Sequence, residues 1–339
     1  MNKFTKIGVS ALAGSLAMFS ANAGELSVSG AASASFNTES GDGAAAPGFD
    51  TGNPMGMDTR LTFSGGGELD NGMTASFYVT DEINANAGDS RFYSGEVALG
   101  MGDLGTISLN QGGGNVGADA IDDETPRAYE EADDQLTTNF RGLANPQGSG
   151  NLIKYTNSLG MVNVNLGFRS GGGSNNAVGT TGGTNEGNVY TGALTSSPID
   201  GLTVGAGYSE VEADSGKDTE GYAGFVKYAF GPVTVGAQRN ITTSANSTPS
   251  ATATSAAEGN QMSIAFNVNE NLAISYSDGE IDHFGVGANA DVEEDFSSVN
   301  VSYTSGGMTL AAQRAEADNS AGVLNSDEEK TEIVLSLAF

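Results

Sequence analysis

Short runs in which apolar and polar residues alternate recur along almost the whole chain. In one of them, Val162, Val164, Leu166 and Phe168 are separated by single residues, of which Asn163 and Asn165 are polar. Successive side chains of a β-strand point to opposite faces, so a period of two predicts a strand with one apolar and one polar face. The pattern therefore predicts an all-β chain.

Sixteen such runs are separated by seven short turns and eight longer breaks, and the two kinds of connection alternate. Asp70-Asn71-Gly72 is typical of the short turns, because Asn-Gly accepts positive φ at little cost. The alternation predicts that all short turns lie at one end of the sheet and all long loops at the other. The predicted strands cover residues 25–36, 57–69, 73–83, 90–101, 106–111, 151–156, 161–170, 186–195, 202–211, 219–230, 233–242, 259–268, 272–281, 294–303, 308–317 and 330–339.

An even number of strands with short turns on one side and long loops on the other is typical of an outer-membrane barrel. Lipid offers no partner to unpaired edge amides, so the first strand must pair with the last. A soluble β-sandwich or a β-solenoid also has many strands, but neither explains the strict alternation of connections. The fold expected is a 16-stranded antiparallel transmembrane β-barrel. In its last strand one face, expected to contact lipid and to carry the closure and assembly signal, holds Ile333, Leu335, Leu337 and Phe339.

The segment before the first strand has the pattern of a secretory signal peptide. Lys3 and Lys6 precede a short apolar core, and Ala21-Asn22-Ala23 forms an A-x-A cleavage site. A membrane anchor is the alternative, but the apolar core is too short and no stop-transfer pattern follows. Residues 1–23 are therefore expected to be removed, leaving a barrel of residues 24–339 that is exported to the bacterial outer membrane.

Composition narrows the classes of function. The net charge of −29 argues against nucleic acid as a partner, because phosphate binding needs a basic surface. It suits a soluble surface in salt, the attraction of cations or a cation-lined channel. Cysteine is absent, so thiol chemistry and disulfides are excluded. The single histidine, His283, falls in a predicted outer loop and is expected to be solvated, and no serine has a recognisable nucleophile context, so an enzyme is not expected.

One long break, Gly112–Gly150, lacks the alternating pattern and contains two bases, Arg127 and Arg141. An unstructured insert of this length in a compact domain is usually functional. Thr125 can cap a helix that Pro126 begins, so a short helix from Pro126 to about Leu136 is expected. Inside a barrel, such an insert would narrow the lumen, although a solvated surface loop is the alternative. Its eight acids, the expected acidic side of a pore constriction, are Asp119, Asp122, Asp123, Glu124, Glu130, Glu131, Asp133 and Asp134.

Several of these features together resemble a known family. The chain combines a signal peptide, the opening Gly24-Glu25-Leu26-Ser27-Val28-Ser29-Gly30, sixteen alternating runs and a terminal Phe339. It resembles the general diffusion porins of Gram-negative bacteria, most closely the alphaproteobacterial type. The resemblance implies a homotrimer of water-filled barrels that pass small hydrophilic solutes, with the third long loop folded inward. Gly112–Gly150 is the third long break of this chain.

The resemblance also implies basic residues on the barrel wall that face the acidic loop. Arg91, Arg239 and Arg314 fall on the apolar side of the alternation, so the polar wall is poorer in bases than the family pattern. A cation-preferring pore is therefore expected. Arg60 has the best-matching position, and the candidate wall bases are Arg60, Lys154, Arg169 and Lys227.

Small residues on the outer face of the first strand, Gly30, Ala32 and Ala34, would allow close packing of neighbouring barrels. They are therefore candidates for a trimer interface, and a thin or tilted strand is the alternative reading. Outer-membrane lipids and lipopolysaccharide are the other expected partners.

No cofactor is expected. Calcium binds hard oxygen ligands, which the adjacent acids at 122–124 and 327–329 could supply, but the chain has no twelve-residue calcium-loop pattern. Divalent ions that bridge outer loops to lipopolysaccharide are an equal alternative.

Two other functions remain open from the sequence. A substrate-specific channel would line its path with aromatic residues, whereas the polar faces here carry few beyond Tyr78, Phe92 and Phe225. A structural or adhesive barrel would have a plugged lumen and no conductance.

Overall fold

The computed structural model describes residues 25–42, 53–84, 94–112, 114–146, 150–171, 187–213, 217–243, 254–285 and 291–339. The predicted signal peptide and Arg91 and Phe92 lie outside these residues. Sixteen strands occur in the described part, and in chain order β1 to β16 are Glu25–Asp42, Met55–Glu68, Thr74–Asn84, Ser94–Gly100, Thr106–Gln111, Leu152–Leu159, Val162–Arg169, Val189–Ile199, Leu202–Val211, Thr219–Phe230, Val233–Thr243, Thr254–Asn267, Leu272–Gly285, Val292–Ser305, Met308–Asp318 and Asp327–Ala338.

The strands form one closed antiparallel barrel in which each strand pairs with its sequence neighbours and β1 pairs with β16. Closure extends to the last residue, since Phe339 N donates to Gly30 O at 2.8 Å and Gly30 N donates to Phe339 O at 3.1 Å. The predicted fold class is therefore confirmed. Short 3₁₀ segments lie at Gly102–Leu104, Gly117–Ile121, Arg141–Leu143 and Ser320–Gly322.

Alternation along each strand separates an apolar outer face from a polar inner face. On β12, the side chains of Met262 and Ile264 are exposed on the outside, whereas Gln261 and Ser263 are buried inside. The predicted lipid-facing residues of β16 are likewise exposed, from Leu337 at 38% to Phe339 at 80%. Among the described residues, no helix is long and apolar enough to span a membrane.

Strand order and pairing agree with the prediction, but several strands are longer than predicted at the long-loop end. β1 continues to Asp42, β13 to Gly285, and β16 begins at Asp327. These ends carry mainly charged and polar residues on both faces, with Phe284 of β13 an exception, so the apolar alternation fades while the backbone hydrogen bonds continue. One consequence concerns His283, which was expected in a solvated outer loop: it lies in β13 with its side chain 17% exposed.

Candidate functional site

The segment Gly112–Gly150, called here the constriction segment, leaves β5 and returns to β6 inside the barrel. Its ends lie together, since a Cβ built on Gly150 would be 3.9 Å from Gly112 N. Residues 113 and 147–149 lie outside the described part of the chain. Between its ends, the segment follows the inner wall as far as β16, where Tyr129 Oη donates to Glu332 Oε2 at 3.1 Å.

The first turn of the segment is attached to β7 and β8. Gly117 N donates to Asn165 Oδ1 at 3.0 Å, and Ala118 N donates to Thr191 Oγ1 at 2.9 Å. Gly117 has a φ of +62°, and a Cβ at this position would lie 2.2 Å from Thr191 Oγ1. Only glycine therefore permits this close approach to the wall.

Further along, polar side chains of the wall bind the backbone of the segment. Gln238 Nε2 donates to Ile121 O at 2.9 Å, and Asn240 Nδ2 donates to Asp122 O at 2.8 Å. Each such bond contributes about 1 kcal/mol, and together they hold the segment along its length. The remaining contacts run from Ser263 Oγ to Pro126 O (2.7 Å), Ala128 N to Ser275 Oγ (2.9 Å), Asn300 Nδ2 to Glu130 O (3.2 Å) and Gln313 Nε2 to Glu131 O (2.5 Å).

These contacts explain why the predicted helix from Pro126 to about Leu136 is wrong. The segment has only bends and isolated turns over this range. A helix would direct the carbonyl groups of Pro126 and Glu130 along its own axis. In the barrel, those carbonyl groups accept hydrogen bonds from wall side chains instead.

Apolar side chains anchor the segment at three further places. Phe140, Leu136 and Leu143 pack with Ile281 and Phe296 on the wall. The rings of Phe140 and Phe296 are 5.8 Å apart. Two smaller clusters complete the anchorage: Ile121 and Ala144 with Ala193, Ala223 and Phe225, and Val116 with Leu152 and Val189.

The eight predicted acids all lie in the described part of the segment, but they have different surroundings. Asp133 is 2% exposed and accepts a hydrogen bond from Phe140 N at 2.9 Å, so it supports the fold of the segment. Asp119 is bound by Asn115 N and Asn145 Nδ2. Glu131 is 9% exposed. The six partly exposed acids are Asp119, Asp122, Asp123, Glu124, Glu130 and Asp134.

The two arginines of the segment pair with its own acids. Arg127 Nη2 lies 2.6 Å from Glu131 Oε1 and 3.1 Å from Asp123 Oδ2. Arg141 lies 3.3 Å from Asp134 and 3.6 Å from Asp133. Eight carboxylates against two guanidinium groups leave an excess of acid in the segment.

Burial changes the acidity of these groups. Burial, followed by repulsion from Asp123 and Asp119, raises the pKa of Asp122 to about 9. Burial and a hydrogen bond with Glu131 raise the pKa of Asp123 to about 6. Burial also raises the pKa of Glu130, where Asp134 adds repulsion. The charge of the segment therefore depends on pH in the neutral and mildly alkaline range.

The four predicted wall bases lie on the inner face, each at a different place. Lys227 contacts Glu124 of the constriction segment directly. Lys154 lies 3.6 Å from Glu96 on β4, and Arg60 lies 3.1 Å from Asp58 on its own strand. Arg169 donates to Gly150 O at 3.1 Å. Arg239 and Arg314 lie on the outer face beside Glu258 and Glu329, as the alternation predicts.

Most acids of the barrel wall were not predicted from the sequence. Glu294 and Glu328 are almost fully buried and bind the constriction segment. Lys330, another inner-face base, lies 3.2 Å from Glu328. The alternation that identifies the wall bases could also have identified these residues, if it had been extended to the outer ends of β14 and β16.

Polar space borders the segment on two sides. One cavity is lined by Asp119, Asp122, Asp123 and Arg141. The other reaches Glu124 and is otherwise lined largely by small polar side chains such as Asn163. Carboxylates of the segment thus line both cavities.

Of the two predicted groups of calcium ligands, the one at 327–329 is wrong as a joint site. These residues lie in β16, where neighbours point to opposite faces, and Glu328 points inward while Glu329 pairs with Arg314 outside. Calcium binding at 122–124 stays a prediction. Within the described residues, Glu130, Glu131 and Asp134 have ligand atoms within 4.8 Å of one another, but Arg127 already neutralises Glu131.

A closed barrel with an apolar outer face and an acidic segment along its inner wall is typical of a pore-forming outer-membrane protein. The sequence model of the Gram-negative porins matches residues 8–338, so the chain belongs to the Gram-negative porin family. It is an outer-membrane β-barrel and a diffusion channel. A search of curated proteins finds no match.

Solved structures with a similar fold come from several bacteria. OmpF of Salmonella typhi, in complex with daunomycin, has a TM-score of 0.67 at 15% identity, covering 92% of this chain and 97% of that one. The anion-selective porin of Comamonas acidovorans has a TM-score of 0.63 at 14% identity, covering 94% and 100%. The trimer form of OmpT of Vibrio cholerae has a TM-score of 0.66 at 11% identity, covering 94% and 100%. At these identities the likeness concerns the fold alone.

Proposed function

We propose that the protein is a general diffusion channel for small hydrophilic solutes that prefers cations. The observation that carries the proposal is the excess of acid in the constriction segment, with eight acidic and two basic side chains. Both guanidinium groups form ion pairs with acids of the segment itself. A ring of carboxylates at the narrowest point favours cations and repels anions.

The wall offsets only a small part of this charge. Lys227 pairs with Glu124 of the segment, whereas Lys154 and Arg60 each lie beside a carboxylate of the wall. In planar bilayers under a potassium chloride gradient, the reversal potential should show a preference for potassium. A preference for chloride would contradict the proposal, and absence of conductance would favour a structural barrel. No catalytic group is part of the proposal.

Selectivity should depend on pH through Asp122 and Asp123. With a pKa of about 9, Asp122 is mostly neutral at pH 7, and a rise to about pH 10 adds a negative charge and increases the preference for potassium. A fall from pH 7 to about pH 5 protonates Asp123, whose pKa is about 6, and decreases that preference. The measurement is the reversal potential as a function of pH.

Asp122→Asn is the matched variant for this profile. It should remove the part of the alkaline rise that is due to Asp122 and keep the acidic fall. An alkaline rise of the same size in wild type and in Asp122→Asn would show that other groups, such as the wall lysines, cause it.

A homotrimer is the proposed assembly, with Gly30, Ala32 and Ala34 of β1 at the interface. These residues lie on the outer face, where larger residues such as Leu26 and Val28 are exposed. Ala32→Lys would place a charge in the close contact between barrels and should dissociate the detergent-resistant oligomer on a gel.

Ala237→Lys on β11 is the control, because it also adds an outer lysine but on a different part of the barrel. An intact oligomer in Ala32→Lys, or equal loss in both variants, would remove β1 from the interface. The exposed apolar outer face supports contact with membrane lipids, and contact with lipopolysaccharide stays a prediction.

A further inference from the structure

The last long connection, Asn319–Ser326, forms a compact turn that folds back onto the barrel; it is called here the outer turn. Ser320 and Ser326 are fully buried, and Ser320 N donates to Ser326 O at 2.7 Å. Ala321 has a φ of 55°, which is uncommon for a residue with a side chain. Such a conformation persists when surrounding contacts impose it.

One of these contacts is Glu294 of β14, which is 0% exposed. Its Oε1 accepts a hydrogen bond from Ala321 N at 2.9 Å and another from Thr138 Oγ1 of the constriction segment at 2.5 Å. Its Oε2 lies 2.7 Å from His283 Nε2. Gly322 packs against the ring of His283, since a Cβ there would lie 2.7 Å from Cγ. A single carboxylate therefore connects the outer turn to the constriction segment.

Glu328 of β16, which is 2% exposed, repeats this arrangement. Its Oε2 accepts from Thr137 N at 2.8 Å and from Ser320 Oγ at 2.8 Å. Its Oε1 accepts from Thr137 Oγ1 at 2.9 Å, and Lys330 Nζ lies 3.2 Å away. Neighbouring residues of the constriction segment are thus bound to two carboxylates that also bind neighbouring residues of the outer turn.

A buried carboxylate needs its hydrogen-bond donors, because removal from water is costly unless each oxygen is paired. Here the donors come from the constriction segment, the outer turn and one basic side chain for each carboxylate. If the donors of the outer turn are lost, each carboxylate lacks a hydrogen-bond partner. The carboxylate side chain would then change its position and release the threonine of the constriction segment that it binds. The two loops are therefore linked through shared acceptors.

We propose that the outer turn positions the constriction segment through Glu294 and Glu328, so that conductance is set in part from the outer surface of the barrel. Glu294, Glu328, Ser320 and Ala321 are positioning residues, since they act through Thr137 and Thr138. The proposal rests on the proposed constriction, and it adds a dependence on a turn that lies outside it.

The experiment replaces residues 319–326 by Asn-Gly. Ala317 is paired with Glu328, so Asp318 and Asp327 would face each other and a two-residue turn can close the hairpin. Single-channel recording of this variant should show several open levels per barrel, where a single level per barrel is expected of the wild type. Thr137→Val removes one hydroxyl donor without altering a buried charge and should have the same effect in weaker form, whereas Thr137→Ser should restore the single level.

The background variant Glu294→Gln/Glu328→Gln tests the route of the effect. If the outer turn acts through these carboxylates, replacing the turn should add nothing further in this background. Glu329→Gln, on the same strand but on its outer face, is the matched control and should conduct as the wild type. Heat-modifiable migration on a gel shows for each variant that the barrel is folded.

A folded turn-replacement variant with one wild-type level would overturn the proposal, as would an equal additional effect in the double-glutamine background. If the segment does not constrict the pore at all, its removal would leave conductance unchanged. That result distinguishes failure of the proposed constriction from failure of the link to the outer turn.

Discussion

Removal of the constriction segment should raise single-channel conductance at least about twofold, because a 16-stranded barrel without an insert encloses an open aqueous channel. The variant joins Gly112 directly to Gly150, whose backbones already lie close together. β5 and β6 remain paired from Asn110 and Leu152 onward, so the excision leaves a short hairpin between them.

The barrel should survive this change, because its closure depends on strand pairing. It should be less stable, since the wall residues Ile281 and Phe296 lose the apolar cover of Phe140. Conductance is measured on single channels in planar bilayers, after heat-modifiable migration has shown that the barrel is folded.

Removal of residues 172–186 is the matched control for the excision. This stretch connects β7 to β8, and its flanks also lie together, since Gly171 N donates to Asn188 Oδ1 at 3.0 Å. The control should change conductance much less. Equal conductance of the excised and wild-type channels would show that Gly112–Gly150 does not limit ion flow.

Neutralising three partly exposed acids of the constriction segment should lower the preference for potassium over chloride about tenfold at about 0.1 M salt. A unit charge at roughly 8 Å from an ion in water contributes about 0.5 kcal/mol, and screening roughly halves this. Three charges act on potassium and chloride with opposite sign, so the permeability ratio changes by about 1.4 kcal/mol, which is about tenfold. The variant is Asp123→Asn/Glu130→Gln/Asp134→Asn.

These three acids suit the test because the segment keeps other contacts without them. Arg127 retains its pairing with Glu131 at 2.6 Å, and Arg141 retains Asp133. The backbone contacts of Glu130 and Glu131 with the wall do not involve the altered groups. The expected change is therefore one of charge, and the measurement is the reversal potential.

Asp278→Asn/Glu280→Gln/Glu316→Gln removes the same number of acids from exposed positions on β13 and β15. Their side chains lie on the outer face, so this control should leave selectivity nearly unchanged. Equal reversal potentials for the two triple variants would mean that net charge, and not the constriction segment, determines selectivity.

Periodicity was sufficient to predict the barrel, because each strand contacts lipid on one side and water or polar protein on the other. Where the two faces of a strand differ little in polarity, the predicted strand is too short. β16 was expected to begin at Lys330 but begins at Asp327, and β13 extends through His283 to Gly285. At these ends most residues on both faces are polar or charged, so the hydrogen-bonded register reveals the strand where the alternation does not.

The interior of the barrel was harder to predict for a related reason. A lumen position was expected to be polar, yet Ile281 and Phe296 point inward and bury Phe140. The helix expected after Pro126 fails because its propensity is local, whereas Ser263 and Gln313 bind its carbonyl groups from distant strands. The local preference for a helix is therefore overridden by many hydrogen bonds between the segment and the wall.

The sequence by itself determined the number of strands, their order, the closure of β1 on β16 and the place of Gly112–Gly150 between β5 and β6. These features follow from alternation and from the need to pair every backbone amide in lipid. Only the tertiary structure decided which acids of the segment support it, as Asp133 does, and which border open space, as Asp123 does. It also decided that Glu294 and Glu328 hold two loops at once, because residues far apart in sequence become neighbours only when the barrel closes around the segment.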